Sequence, residues 1–246
     1  MKYVNIALFM ILGCATQPKD APIILINIEQ VIGDKKNLAK GISILNSFNP
    51  KVMGIDFLLS EEENEAEFIS VLEDCENLVM GTEIDGYEER LEEYSKFSST
   101  ILSPLLETGK CTGFRSLIEE EDAFFTVKRF SSWEKVNRKV EYQFGVRTAM
   151  LFDSTKVLNF VKKHSKINEI DFHDGKKFKT FELGDLINGK VKKADVEGKI
   201  VLLGFLGPGF TDRFYSGAIR RGNGSFVPDM YLAEFHAHII MQALSE

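Results

Sequence analysis

Four short, almost uninterrupted apolar runs mark the chain, at residues 22–29 (Pro-Ile-Ile-Leu-Ile-Asn-Ile-Glu), 52–57 (Val-Met-Gly-Ile-Asp-Phe), 78–80 (Leu-Val-Met) and 199–205 (Lys-Ile-Val-Leu-Leu-Gly-Phe). Runs of this length without polar alternation predict strands buried on both faces, as in a parallel sheet. Between the first two, Leu38, Ile42, Leu45 and Phe48 recur at helical spacing, and Pro50 lies just beyond them. Between the second and third, Phe68, Leu72 and Cys75 fall on one side of a further helix. This β-α-β-α-β order predicts an α/β fold, a mainly parallel sheet with helices on both faces.

The middle of the chain has a different pattern. Tyr87, Leu91 and Tyr94 are spaced for an acidic helix, and residues 100–108 read as a connecting loop. Residues 111–114 and 123–130 predict paired strands around the turn-like 119–122, which adds an antiparallel hairpin region. Residues 141–152 and 155–164 read as helices, with Asp153-Ser154 as a cap or break. Asp174-Gly175 inside 170–181 is a two-residue hairpin signal, and 181–188 can make a short helix. After the last apolar run come a glycine-rich loop (206–214), a polar loop (220–225) and a final helix from about Met230 to Leu244. With no internal repeat and no linker, the organisation expected is a leader over 1–20 and one domain over 21–246.

The leader begins Met1-Lys2 and continues through Tyr3 to Leu12 without a charge. Ten residues are too few to span a bilayer, which takes ~20, but they suit the ~7–15-residue core of a secretory signal. The run ends Ile11-Leu12-Gly13-Cys14-Ala15 and the chain then turns polar, which resembles the bacterial lipoprotein lipobox with Cys14 as the lipidated residue. A plain uncleaved anchor and a buried first strand are the other two readings. Apart from Cys14 the cysteines are Cys75 and Cys111; no CxxC spacing exists, so no metal site is expected. Two buried thiols are expected there, with a disulfide as the alternative.

Composition narrows the function. Hydrophobic residues at 44% and charged residues at 27% exclude a disordered chain and a polytopic membrane protein. Net charge is −7, so a non-specific nucleic-acid binder is excluded. The acidity is local: residues 61–93 hold fourteen Asp/Glu and one basic residue, Arg90, a pattern expected of a solvated helix face.

Four segments taken in order bring a family to mind. Pro50-Lys51-Val52-Met53-Gly54-Ile55-Asp56-Phe57, Gly198-Lys199-Ile200-Val201-Leu202-Leu203-Gly204, Gly207-Pro208-Gly209 with Asp212-Arg213-Phe214, and Pro228-Asp229-Met230-Tyr231 followed by Glu234-Phe235-His236-Ala237 resemble CHASE2 domains. These are extracytoplasmic sensor modules of bacterial signalling proteins. Ile23 to Glu29 is similar to the family's opening strand, with Asn27 where Asp is commoner. The resemblance spans about 22–246 and implies ligand sensing outside the cytoplasm, with no catalysis and no cofactor. In the family, transmembrane helices and a cytoplasmic kinase or cyclase usually follow. Because the chain stops at Glu246, it is expected to be a free-standing envelope protein or a fragment of a longer one, without its own output domain. Its partners would be an unknown small molecule, the membrane through the N-terminal anchor, and a membrane-bound signalling protein. The location expected is the bacterial cell envelope, facing the periplasm or exterior.

Ligands of open parallel sheets bind at the carboxyl ends of the strands. Here the first strand ends at Glu29, the second at Asp56, the third runs into Glu83, and the last runs into Gly207–Gly209 and Asp212. Glu29, Asp56, Gly207, Gly209, Asp212 and His236 are therefore the candidate ligand-binding residues, suited to a cation or to a ligand carrying amines or hydroxyls. The competing expectation is helix capping or ion pairing, for instance Asp212 with an arginine. The glycine loop lacks a Lys-Ser/Thr, Pro208 removes a donor and Asp212 repels anions, so it is a tight turn rather than a phosphate loop. His236 and His238 lie ~200° apart on a helix and cannot share a metal; His236 is expected to bond the glycine loop from the core edge, and His164 and His173 to lie at the surface. No G-x-S-x-G or HExxH is present and no catalytic residue is assigned. The alternative function is a periplasmic hydrolase-like enzyme using a strand-end carboxylate cluster, with Glu29 and Asp56 as acid and base. A structural envelope protein without a ligand is the third.

Overall fold

Where the four apolar runs form strands, every strand residue is buried, and these strands make the middle of one parallel sheet. The computed structural model describes residues 22–29, 34–58, 66–97, 111–122, 124–172, 177–208, 212–216 and 228–246. The leader with Cys14, the 100–108 loop, Asp174-Gly175, Gly209 and the 220–225 loop lie outside them.

The first half runs β1 (Ile23–Asn27), α1 (Lys35–Ser47), β2 (Val52–Asp56), α2 (Ala66–Glu73), β3 (Leu78–Thr82), β4 (Ile84–Glu88), β5 (Glu93–Phe97) and β6 (Cys111–Phe114). There follow β7 (Ile118–Glu119), β8 (Val127–Ser131), β9 (Trp133–Val136), β10 (Lys139–Tyr142), α3 (Phe144–Phe152) and α4 (Ser154–Lys163). The chain closes with β11 (Ile167–Glu169), β12 (Lys179–Glu182), α5 (Leu183–Ile187), α6 (Lys193–Val196), β13 (Ile200–Gly204), β14 (Arg213–Phe214), β15 (Met230–Tyr231) and α7 (Leu232–Leu244).

The main sheet has the order β12-β1-β13-β2-β3-β6, and every neighbouring pair is parallel. Alternate strand residues feed two cores, because successive side chains leave a strand on opposite faces. Ile24, Ile26, Met53, Ile55, Val201 and Leu203 pack with Leu38, Ile42 and Leu45 of α1. Ile23, Leu25, Val52 and Leu202 pack on the other face with Phe144 of α3 and with Phe235 and Ile239 of α7. The expected α/β fold with helices on both faces is thus present. Local signals set the helix ends. Asp34 accepts the Asn37 N–H at 3.1 Å to start α1, while Asp153 ends α3 and accepts the Lys156 N–H at 3.2 Å to start α4.

Three expectations in the middle of the chain are corrected. Tyr87, Leu91 and Tyr94 do not lie on a helix: β4 and β5 form an antiparallel hairpin in which Tyr87 and Tyr94 are cross-strand partners, ring centroids 5.0 Å apart. The same spacing suits one helical face and one hairpin pair, and Gly86, at φ 70°, favours the hairpin. Among the described residues, the acidic stretch is accordingly a helix over α2 and a hairpin after Glu83. Residues 111–114 do not pair with 123–130: β6 extends the main sheet beside β3, and β8 pairs instead with β7 and β11. Finally, the strands flanking Asp174-Gly175 part company, β11 joining β8 and β12 joining β1 in parallel.

Among the described residues no helix is long and apolar enough to cross a membrane. Cys75 is buried and Cys111 half-buried, and they form no disulfide.

Candidate functional site

The carboxyl ends of the parallel strands come together as expected, and each is fixed by polar side chains. Asn27, at the end of β1, is buried with its amide fully used. Its Nδ2 donates to both Glu182 oxygens (3.2 and 3.0 Å), and its Oδ1 accepts the N–H groups of Glu29 (3.1 Å) and Leu206 (3.0 Å). One side chain thereby joins the ends of β12, β1 and β13.

The adjoining strands meet in a buried charge network. Asp56 ends β2 and is 1% exposed. Arg115, immediately after β6, continues the ladder by donating its backbone N–H to Thr82 O at 2.8 Å. Its side chain crosses β3 at Gly81, where a Cβ would lie 2.5 Å from Arg115 Cδ, so this close approach depends on glycine. Arg115 Nε donates to Asp56 Oδ1 at 2.9 Å; its terminal nitrogen donates to the Asp56 carbonyl at 3.3 Å and to Asp212 Oδ2 at 3.1 Å. From α7, His236 reaches Asp56 Oδ2 with Nδ1 (2.8 Å) and the Arg115 carbonyl with Nε2 (3.2 Å). With Asp56 ionised, its Oδ2 can only accept, so Nδ1 is the donor of that pair.

Burial alone favours a neutral Asp56 carboxyl, but His236 and then Arg115 outweigh it and hold the group below its ordinary 3.8. Burial likewise opposes the Arg115 charge and is overcome by Asp56 and Asp212, which hold the guanidinium above its ordinary value.

The glycine loop and the start of α7 close the rim. Asp212 sits at φ 54° and accepts the Leu232 N–H on its carbonyl at 2.8 Å; β14 then pairs antiparallel with β15. The Tyr231 hydroxyl donates to the Gly207 carbonyl, and the Arg213 guanidinium stacks 5.0 Å from the Tyr231 ring centre. Glu234 accepts the Tyr231 N–H at 2.9 Å, and burial pushes its carboxyl above the ordinary 4.5. The Glu29 carboxylate lies flat against Gly207, filling the place of a Cβ there.

Of the expected site residues, Asp56, Asp212 and His236 are brought together, while Glu29 and Gly207 form a neighbouring pair on the β1 side of the rim. Gly209 lies outside the described residues. His236 does not bond the glycine loop; that role falls to Tyr231, because His236 lies one turn into α7 and its ring turns inward onto Phe144, 5.0 Å away. His238 packs between the Phe172 and Phe178 rings, and His164 lies near the surface against Glu246. Sequence reasoning missed Arg115 altogether. Its only signal is a charge directly after a four-residue strand that was itself assigned to the wrong partner.

The family description "CHASE2 domain" matches residues 16–246, nearly the whole chain, and the chain belongs to that family. No curated protein and no solved structure matches it.

The network sets a sign for acid stability. Because the folded Asp56 carboxyl lies below its unfolded value, its contribution is present above about pH 4 and is lost as pH falls through the folded value. Chemical denaturation between pH 2 and 6 should show this acid loss in the parent and a flatter limb in Asp56→Asn. Arg115→Met, which leaves Asp56 buried with one cation fewer, should cost about 3–5 kcal/mol at pH 7.

Proposed function

We propose that this CHASE2 domain senses a small ligand at the strand-end rim and passes the state of the rim to α7 through the Asp56–Arg115–His236 network. Membership of a family of extracytoplasmic sensor domains supports the sensing role and an envelope-facing location. One observation carries the finer reading: the buried side chains of Asp56, Arg115 and His236, with Asp212, tie β2, the segment after β6, the segment before β14 and α7 into one unit.

Asp212 is its accessible member, with its side chain 29% exposed against 0% for Asp56 and His236. A ligand bearing an amine or hydroxyl would engage Asp212, with Glu29 and Gly207 on the facing side, and change the hold on Arg115. The Arg115 carbonyl and Asp56 are the two ring partners of His236, so the change would reach α7 directly. A ligand shifts such an equilibrium only by its differential affinity for the two states. Asp56 is buried, with each oxygen engaged by Arg115 or His236, and this weighs against the hydrolase-like alternative.

The same reading places the domain at the envelope membrane through a lipidated Cys14, with a membrane-bound signalling protein reading its state. A melting screen of the parent against a library of small polar metabolites should give at least one ligand that raises Tm. Asp212→Asn and Asp56→Asn should weaken that rise without any turnover of the ligand. Turnover abolished by Asp56→Asn would identify an enzyme, and a flat screen a structural protein. For the tether, the parent should enter the detergent phase on Triton X-114 partition and Cys14→Ser should not; equal partition would refute lipidation.

A further inference from the structure

A second concavity, with a volume of about 280 Å³, lies behind the rim between the hairpin and the smaller sheets. Its walls are the Tyr87 and Tyr94 rings of β4 and β5, with Phe114 from β6 and Leu117 beyond it. Its charged groups are Glu134 of β9 and Lys166, just before β11. Two aromatic rings set 56° apart form a corner, and a buried carboxylate lies beside them.

The carboxylate is the deep charge and the ammonium the outer one, with side chains 10% and 35% exposed. Lys166 Nζ stands 2.5 Å from Glu134 Oε2, an ion pair in direct contact. The Lys166 ammonium also lies 5.4 Å from the centre of the Trp133 ring. The hairpin that carries both tyrosines adds a field of one sign: residues 83–97 hold six carboxylates and two basic side chains. Burial, then the Glu134 charge, pushes the Tyr94 phenol above 10.0, so the hydroxyl stays protonated and able to donate.

We infer that this pocket binds a small organic ammonium compound with an apolar body, its cation on Glu134 between the two tyrosine faces. Tyrosine faces attract cations, and the carboxylate supplies a charge-assisted hydrogen bond to the ligand in place of its contact with Lys166. Lys166 acts as an internal occupant. When the ligand ammonium arrives, the lysine swings to solvent on its half-exposed stem, one ammonium replaces another, and no buried charge is left alone. The inference rests on the sensing role proposed above and adds a second ligand site to it. It also supplies a route to the network, because Phe114 lines the pocket and the next residue, Arg115, points to the opposite side, onto Asp56.

Isothermal titration of the full chain with phenethylammonium, and with 3-phenylpropanoate as its anionic counterpart, tests this. Phenethylammonium should bind and the anion should not. Glu134→Gln should weaken binding at least ~10-fold, the worth of a charge-assisted hydrogen bond. Tyr87→Ala, at a ring already 52% exposed and therefore safe for folding, should weaken it several-fold. Lys166→Met should tighten it several-fold, a gain that a purely structural Glu134–Lys166 pair would not give. Equal binding of the anion, or unchanged affinity in both Glu134→Gln and Tyr87→Ala, overturns the inference. If no ammonium probe binds while the melting screen finds a ligand that depends on Asp212, the pocket assignment fails and the sensing role stands.

Discussion

A guanidinium and a carboxylate buried at the end of a parallel sheet must satisfy each other, and most of the site follows from that requirement. Removing an ion from water costs several kcal/mol even after relaxation, so Arg115 and Asp56 persist only with their hydrogen bonds complete. Asp56 accepts from Arg115 and His236, and Arg115 in turn reaches Asp212. Gly81 clears the path of the arginine, and the close pairing of β3 with β6 sets its start. The interaction is therefore less a source of net stability than a constraint on geometry, one that fixes β2, the end of β6 and α7 relative to one another.

That constraint suits a sensor. Packed interfaces of this kind have discrete alternatives rather than a continuous range, so a modest push at one member moves the whole set. The push can enter at two places. Asp212 is half-open to the rim, and the 114–117 segment forms a wall of the tyrosine pocket. In the proposed reading either would bear on Arg115, whose carbonyl is one of the two ring partners of His236. The first turn of the helix that carries His236 is also stitched to Asp212 and Gly207 through Leu232 and Tyr231.

The parallel sheet was legible because its strands are buried on both faces and leave a continuous apolar signature; 23–27, 52–56 and 200–204 carry it without ambiguity. Asp56 and Asp212 were legible as strand-end acids once those strands were placed. Arg115 was not, since its significance depends on β6 joining β3, a pairing that short half-buried strands such as Cys-Thr-Gly-Phe do not announce. The hairpin failed for a related reason: Tyr87 and Tyr94 are seven apart, a distance shared by two helical turns and by a cross-strand pair. His236 was found as a site residue but given the wrong partner. Which way a helical side chain faces is set by the packing of α7 against Phe144, and no local pattern encodes that.

The central claim is that the charge network, rather than apolar packing alone, holds α7 to the strand ends. Backbone amide hydrogen exchange along α7 tests it directly, comparing the parent with Asp56→Asn under conditions where both remain folded. The account predicts that protection falls selectively in the turns around His236 while the amides of β1 and β13 keep theirs. Unchanged protection in α7, or an equal loss in α7 and the central strands, would contradict it.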